Sequence, residues 1–241
     1  MEKRLTYTNK HGEKLVGIHA KGEADICVIL SHGFLSDKDE NTLFSSLAET
    51  LGKHDISSFR FDYTGHGESE DVPLSLDRMQ DDFDASARFM QNLGYDQVYF
   101  VGHSLGGVPV LRSDVASKHS FLLAPYYKPD TRRVNMILEE FNSDEDKIVM
   151  ANRFDVDHTL SRSFLDEMKG VDLLSTLQEN SGNITIYLSN SDEIMPDNYY
   201  EDIIDSKKEF NNILLLDTNH FFSKNRKPVF DSIISIIEDL M

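Results

Sequence analysis

The sequence predicts an α/β fold: a mostly parallel sheet flanked by helices, with a small helical insertion. Three observations carry this expectation. Apolar runs alternate with helix-like segments along most of the chain. Several of those runs are continuously apolar, which suits strands buried on both faces of a parallel sheet. One long stretch late in the first two thirds breaks the rhythm and carries no clear strand.

Taken in order, the chain opens with "RLTYTN" and "KLVGIHA", separated only by "KHGE". No helix fits between them, so they read as an antiparallel hairpin leading into the sheet. The strand "ICVILSH" precedes a helix over Thr42–Gly52, and "SSFRFDY" precedes a helix over Ser75–Leu93. "QVYFVGH" leads into a helix over Leu105–Ser117, and "SFLLAP" follows it. After the irregular stretch come "ITIYLSN", a helix over Asp197–Lys208, "NILLLDT" and a helix over Pro228–Leu240. The irregular stretch, from about Tyr126 to Gln178, is dense in charge and reads as several short helices. It is too long for a connecting loop, so it is expected to be a lid or cap. The division expected is a core of residues 1–125 and 179–241, with a helical cap at 126–178.

Bulk properties bound the function classes. The 241 residues suffice for one large domain. Asp and Glu number 42 against 24 Lys and Arg, giving a formal net charge of −18. So acidic a chain repels nucleic acid and anionic membrane surfaces, and neither is an expected partner. The single cysteine, Cys27, lies in the apolar run "ICVIL" and reads as a core thiol. One cysteine builds no internal disulfide framework, and the N-terminal stretch carries no apolar signal region. The expectation is a cytoplasmic soluble protein; homodimerisation stays open.

The segment Gly102-His103-Ser104-Leu105-Gly106 supplies the chemistry. Gly-x-Ser-x-Gly is a weak signal alone. Here an apolar strand precedes it and a helix candidate follows, the context of a strand-turn-helix elbow that presents a serine nucleophile. Ser104 is therefore the nucleophile candidate, and the backbone N–H of Leu105 is one donor to a developing oxyanion. Pro109 falls early in the following helix, where it is tolerated in the first turn and costly deeper in. A serine hydroxyl needs a base and a second oxyanion donor. The turn His32-Gly33-Phe34 ends an early strand and offers the backbone N–H of Phe34. Asp192 lies just past a late strand, and His220 just past the last one. Ser, then Asp, then His is the chain order this architecture uses. The acid has rivals nearby in Glu193, Asp197 and Asp217.

With these residues in place, the sequence resembles the α/β-hydrolase family. The resemblance rests on the His32-Gly33 turn, the "FDYTGHGES" loop at 61–69, the "GHSLGG" elbow at 102–107, and the late Asp and His. It covers roughly residues 25 to 125 and 183 to 241. "SHGF" and "RFDYTGHGES" look most like small feruloyl (cinnamoyl) ester hydrolases and related acylglycerol lipases. The resemblance implies acyl transfer to Ser104 and hydrolysis of the acyl-enzyme by water activated through His220. The family's acid has a proline four residues on, as Asp192 has in Pro196; the resemblance makes Asp192 the partner that holds the His220 tautomer.

The remaining motifs read as structural. His32, His66 and His103 belong to motif loops; His158 reads as solvated surface in the insertion; His11, His19, His54 and His119 show no partner pattern. Asp62 reads as a loop-shaping residue. Nothing shows metal-ligand spacing, a phosphate-cradling loop or a dinucleotide fingerprint, so no metal and no cofactor are expected. An elbow serine, with no tryptophan in the chain, excludes the aspartate-nucleophile dehalogenases and epoxide hydrolases of this fold, and cysteine-dependent dienelactone-type hydrolases. The expected activity is hydrolysis of small or moderate carboxylic esters. Thioester and carbon–carbon hydrolysis use the same three residues, and a non-catalytic binding module is the competing class. Lys128, Arg132 and Arg133 open the insertion and stand as either surface charges or contacts for an anionic substrate.

Overall fold

A computed structural model describes residues 2–141, 146–152, 154–205 and 213–241. The expected hairpin is present as β1 (Glu2–Thr8) and β2 (Lys14–Ala20), paired antiparallel. Next come β3 (Ile26–Ser31), α1 (Leu43–Lys53), β4 (Ser57–Asp62), α2 (Leu76–Asn92), β5 (Gln97–His103), α3 (Gly107–Arg112) and β6 (Ser120–Leu123). The chain then forms α4 (Thr131–Glu139), β7 (Lys147–Ala151), β8 (Asp157–Ser161), α5 (Arg162–Lys169) and α6 (Leu174–Glu179). It returns through β9 (Ile184–Ser189), α7 (Glu201–Asp205), β10 (Ile213–Leu216) and α8 (Arg226–Leu240). The residues 206–208 of the expected fourth long helix, and Asn212 of the last expected strand, lie outside the described residues.

Eight strands form one sheet in the order β1-β2-β4-β3-β5-β6-β9-β10. From β4 onward every neighbouring pair is parallel. β3, β4, β6 and β9 are buried along their whole length; β3, β6 and β9 are largely apolar, whereas β4 buries Arg60 against Glu2 and Asp39, and Asp62 against Lys38. Cys27 sits on β3, fully buried, and its surroundings push the thiol pKa up, as expected of a core side chain. Chain order runs from β3 outward to β4 on one side and resumes at β5 on the other. The loops leaving β3 and β5 therefore diverge, and a crevice opens at the carboxyl ends of these adjacent strands. The site is built there.

The helices follow local signals. Ser75 caps α2 by accepting the Arg78 N–H, and Asp77 lies in the first turn, where the helix dipole favours an acid. α3 is half the expected length. Pro109 occupies its first turn, where the missing N–H costs nothing. Among the described residues no helix is long and apolar enough to cross a membrane.

The stretch between β6 and β9 corrects one expectation. It holds short helices, and it also holds the antiparallel ribbon β7–β8. The ribbon is half exposed, with Ile148 opposite Leu160 and Met150 opposite His158 on its inner face. Its turn rests on Asn152, whose side-chain oxygen accepts the N–H groups of Phe154 and Val156, while Asp155 takes a left-handed φ of 57°. Residues 142–145 and 153 of this stretch lie outside the described ones. The rest docks firmly: Thr159 O accepts Leu74 N–H, and Tyr126 Oη donates to Met168 O.

Candidate active site

β5 ends at His103, and Ser104 turns the chain directly into helix with a φ of 52°. A left-handed conformation at a serine costs about 1–3 kcal/mol and persists only where the surroundings fix it. Here the glycines explain the fixing. A Cβ at Gly106 would lie 2.2 Å from Ser31 O, and one at Gly102 would lie 2.8 Å from Gly106 O. Only glycine lets the elbow press this closely against β3. The Ser31 hydroxyl donates to Gly106 O at 2.6 Å, and Ser104 O accepts Tyr126 N–H at 2.9 Å. A Cβ at Gly33 would lie 3.2 Å from the Ser104 Cβ, so the turn after β3 runs beside the serine. Phe34, Leu105, Ser104 and His220 line one inner cavity of about 70 Å³.

Past β10, the His220 imidazole donates from Nδ1 to Asp192 Oδ2 at 2.8 Å. Asp192 Oδ1 accepts two backbone N–H groups, from Ile194 and Met195, each at 2.9 Å. Burial raises the Asp192 pKa, but the His220 hydrogen bond and charge and these N–H groups outweigh it and hold the carboxyl below its usual range. Burial pushes the His220 pKa down and, despite Asp192, the net direction is downward. Both shifts favour a carboxylate beside a neutral imidazole, the state a general base needs. Glu193, the nearest rival in sequence, binds the backbone instead: its Oε2 accepts His220 N–H at 2.9 Å. Asp197 and Asp217 are exposed. All five residues singled out for the site are thus gathered at one end of the sheet.

One residue escaped the sequence reading. Glu40, in the loop after the Gly33 turn, is 2% exposed and accepts Gly33 N–H at 2.6 Å. Its other oxygen lies 3.1 Å from His103 Nδ1, within ion-pair reach though not aligned as a hydrogen bond. His103 Nε2 donates to His220 O at 2.9 Å. Burial opposes charge on both partners, yet their mutual attraction wins: Glu40 is held below, and His103 above, its ordinary value. No motif spacing marks Glu40; its αL backbone, φ 43°, has no sequence signature beyond the polar run "DKDEN".

Other side chains sort cleanly. Asp62 is a loop organiser, accepting Lys38 N–H and the Lys38 ammonium at 2.8 Å and Glu68 N–H at 2.9 Å. His158 is buried, not solvated: Nδ1 binds Gly65 O at 3.1 Å, and its ring packs on His66. The ribbon β7–β8 presents it inward, which a reading of the insertion as helices hides. The four histidines without a sequence pattern also find partners, in Asp81 (His11), Tyr95 (His19), Glu238 (His54) and Thr185 (His119).

Comparison with known proteins agrees with the fold. No curated protein sequence matches the chain. Among solved structures, the alpha/beta hydrolase GrgF from Penicillium sp. sh18 superposes with a TM-score of 0.77 at 16% identity, covering 100% of this chain and 97% of that one. Est1E from Butyrivibrio proteoclasticus with bound ferulic acid gives 0.75 at 18% identity over 98% of both chains. The Pyrococcus furiosus esterase PF2001 gives 0.74 at 16% identity over 100% of this chain and 91% of its own. Such likeness at low identity establishes the fold. The family itself is settled by a sequence model of the alpha/beta hydrolase family that matches residues 28–202, most of the chain. By that match and this architecture, the chain belongs to the alpha/beta hydrolase family.

Proposed function

We propose that this protein is a serine hydrolase of small or moderately sized carboxylic esters. The observation that carries the reading is Ser104, held at φ 52° on the elbow, sharing a small cavity with a His220 that is oriented by Asp192. Ser104 Oγ attacks the ester carbonyl while His220 Nε2 takes its proton. The backbone N–H groups of Phe34 and Leu105 stabilise the oxyanion, and the alcohol leaves with the proton returned by His220. Water, deprotonated by His220, then attacks the acyl-enzyme and frees Ser104. Asp192 holds the imidazole in the tautomer that keeps Nε2 free to accept.

The size of the substrate follows from the space. The inner cavity of about 70 Å³ suits a small acyl or alcohol group at the reacting carbon. It opens at Phe34, Glu40, Arg133, Ile194 and Phe221 to an outer cleft of about 610 Å³ beneath α4 and the ribbon β7–β8. Residues 126–178 act in this reading as a cap on the core of residues 1–125 and 179–241, lining the cleft that receives the larger part of the substrate. Est1E holding ferulic acid is a precedent for an aromatic acid in such a fold.

Rates on p-nitrophenyl esters from acetate to long acyl chains, with Ser104→Ala alongside, test the reading. Turnover that favours short chains and disappears in Ser104→Ala is expected. No turnover of any ester, with Ser104 unlabelled by a fluorophosphonate, returns the protein to the class of binding modules. Labelling without ester turnover points to thioester or carbon–carbon substrates.

A further inference from the structure

Three cations open the insertion, and the structure separates them. The Lys128 ammonium is 3.0 Å from Asp202 and lies over the rings of Tyr127 and Tyr199. Arg132 points outward; its side chain is 63% exposed, with Nη2 reaching Ile194 O at 3.5 Å and Asp130 Oδ2 at 4.0 Å. Arg132 and Arg133 both line the outer cleft, and of the three only Arg133 also lines the inner cavity with Ser104.

Its surroundings leave its charge without a partner. Of the nearby carboxylates, Glu40 and Asp192 are engaged elsewhere. Glu40 faces His103, and Asp192 faces His220 and two backbone N–H groups. Asp130 caps α4 through Oδ1, which accepts the Arg133 backbone N–H, while Oδ2 has only Arg132 at 4.0 Å. Asp130 and Asp192 act on the Arg133 guanidinium only from a distance, and it forms no ion pair or side-chain hydrogen bond with a described residue. Burial pushes its pKa down, yet guanidinium stays charged at any working pH. A half-buried guanidinium with five donors in a fixed fork, lining the cavity, is placed to take an acceptor on a bound molecule.

Resting on the esterase reading, we infer that Arg133 receives a carboxylate carried by the substrate, so that the preferred esters are monoanionic. A carboxylate matches the planar fork in a bidentate pair. Beside Arg133 and Glu40 the junction is apolar, with Phe34, Ile194 and Phe221, and Met168 and Met195 extend this surface into the inner cavity, which suits a short hydrocarbon or aromatic spacer between ester and carboxylate. One guanidinium balances one negative charge; a phosphate dianion would need a second cation here. The chain's net charge of −18 repels anions at long range, so a local cation is what admits one.

Two matched pairs of esters test this. On the acyl side, mono-p-nitrophenyl glutarate is compared with p-nitrophenyl 5-methylhexanoate, in which isopropyl replaces the carboxylate. On the alcohol side, 3-acetoxybenzoate is compared with 3-isopropylphenyl acetate. The readout is the ratio of kcat/KM, anionic over neutral, so general damage to the enzyme cancels. In at least one pair Arg133→Gln is expected to lower that ratio tenfold or more, the scale of a lost charge-assisted hydrogen bond, about 10- to 100-fold. Arg133→Lys retains part of it. A fall below tenfold in both pairs overturns the inference while leaving the esterase reading intact. If no ester is turned over, the esterase reading fails separately, and calorimetry decides the role of Arg133. Ser104→Ala protein that binds mono-p-nitrophenyl glutarate tenfold more tightly than Ser104→Ala/Arg133→Gln supports it; a smaller difference, or no binding by either, refutes it.

Discussion

Two imidazoles flank the nucleophile, and each faces a carboxylate by a different route. His220 reaches Asp192 through a well-formed 2.8 Å hydrogen bond, and its pKa falls. His103 faces Glu40 as an ion pair, and its pKa rises. The first pair leaves a neutral ring with a free nitrogen at the cavity. The second favours a protonated ring, whose Nε2 is spent on His220 O, while Glu40 grips Gly33 N–H. In the proposed mechanism the first pair exchanges a proton. The other ties the turn after β3 to the loop after β10, beneath the elbow that both loops serve. Burial alone does not decide a histidine's protonation, since both rings are buried and their pKa values move in opposite directions; the neighbouring charges decide with it.

The comparison breaks first at Asp192. Asp192→Asn removes the acceptor that fixes the His220 tautomer and is expected to lower kcat by about 10⁴-fold with little change in KM. A loss under tenfold, measured in steady state, would show that Asp192 does not orient the base. Glu40→Gln tests the second pair and carries a smaller effect. It keeps an acceptor near Gly33 but removes the charge that holds His103 protonated. Loosening the oxyanion turn and the base loop together is expected to lower kcat roughly ten- to a hundredfold, since small misplacements of reacting groups cost that much. KM should move less than kcat. Equal kcat for Glu40→Gln and wild type would reduce the pair to a packing feature.

The two pairs also differ in how far the sequence reveals them. Asp192 and His220 follow strands, and strand ends in a parallel sheet converge; chain order placed His220, while the choice of Asp192 over Glu193, Asp197 and Asp217 leaned on the family resemblance and Pro196. The serine was legible for the same reason, together with glycines whose absent Cβ atoms the tight contact with Ser31 demands. Glu40 lies in a loop with three features no periodicity encodes: a buried charge, positive φ at Glu40, Asn41 and Thr42, and a partner far away in sequence. The ribbon β7–β8 was missed because its strands are short and half exposed, and Val149 even faces solvent. Its turn signal, Asn152 before Asp155, was present but lay within a charge-rich run. Local rules thus reach the sheet and what hangs from its strand ends, while long-range polar pairing and lightly buried hairpins require the folded chain.

The subtlest difference between the pairs is readable in the pH dependence of kcat/KM. His220 must be neutral to act as base, so activity is present above its pKa and is lost as pH falls through it. Because burial first, and the charge on His103 as well, push that pKa down, the acid limb in the wild type should lie below that of an ordinary imidazole. Asp192 opposes the shift, as does, more weakly, the Glu40 charge; Glu193 meets His220 only through its backbone N–H. In Glu40→Gln, His103 loses the charge that keeps it protonated, and its ring, 5.0 Å from that of His220, becomes neutral. Both the lowering by His103 and the smaller raising by Glu40 then disappear. The acid limb is expected to move to higher pH, with the basal limb unmoved. An acid limb that stays in place, or moves toward lower pH, would mean that the His103 charge does not reach His220 and that the two pairs are electrostatically independent.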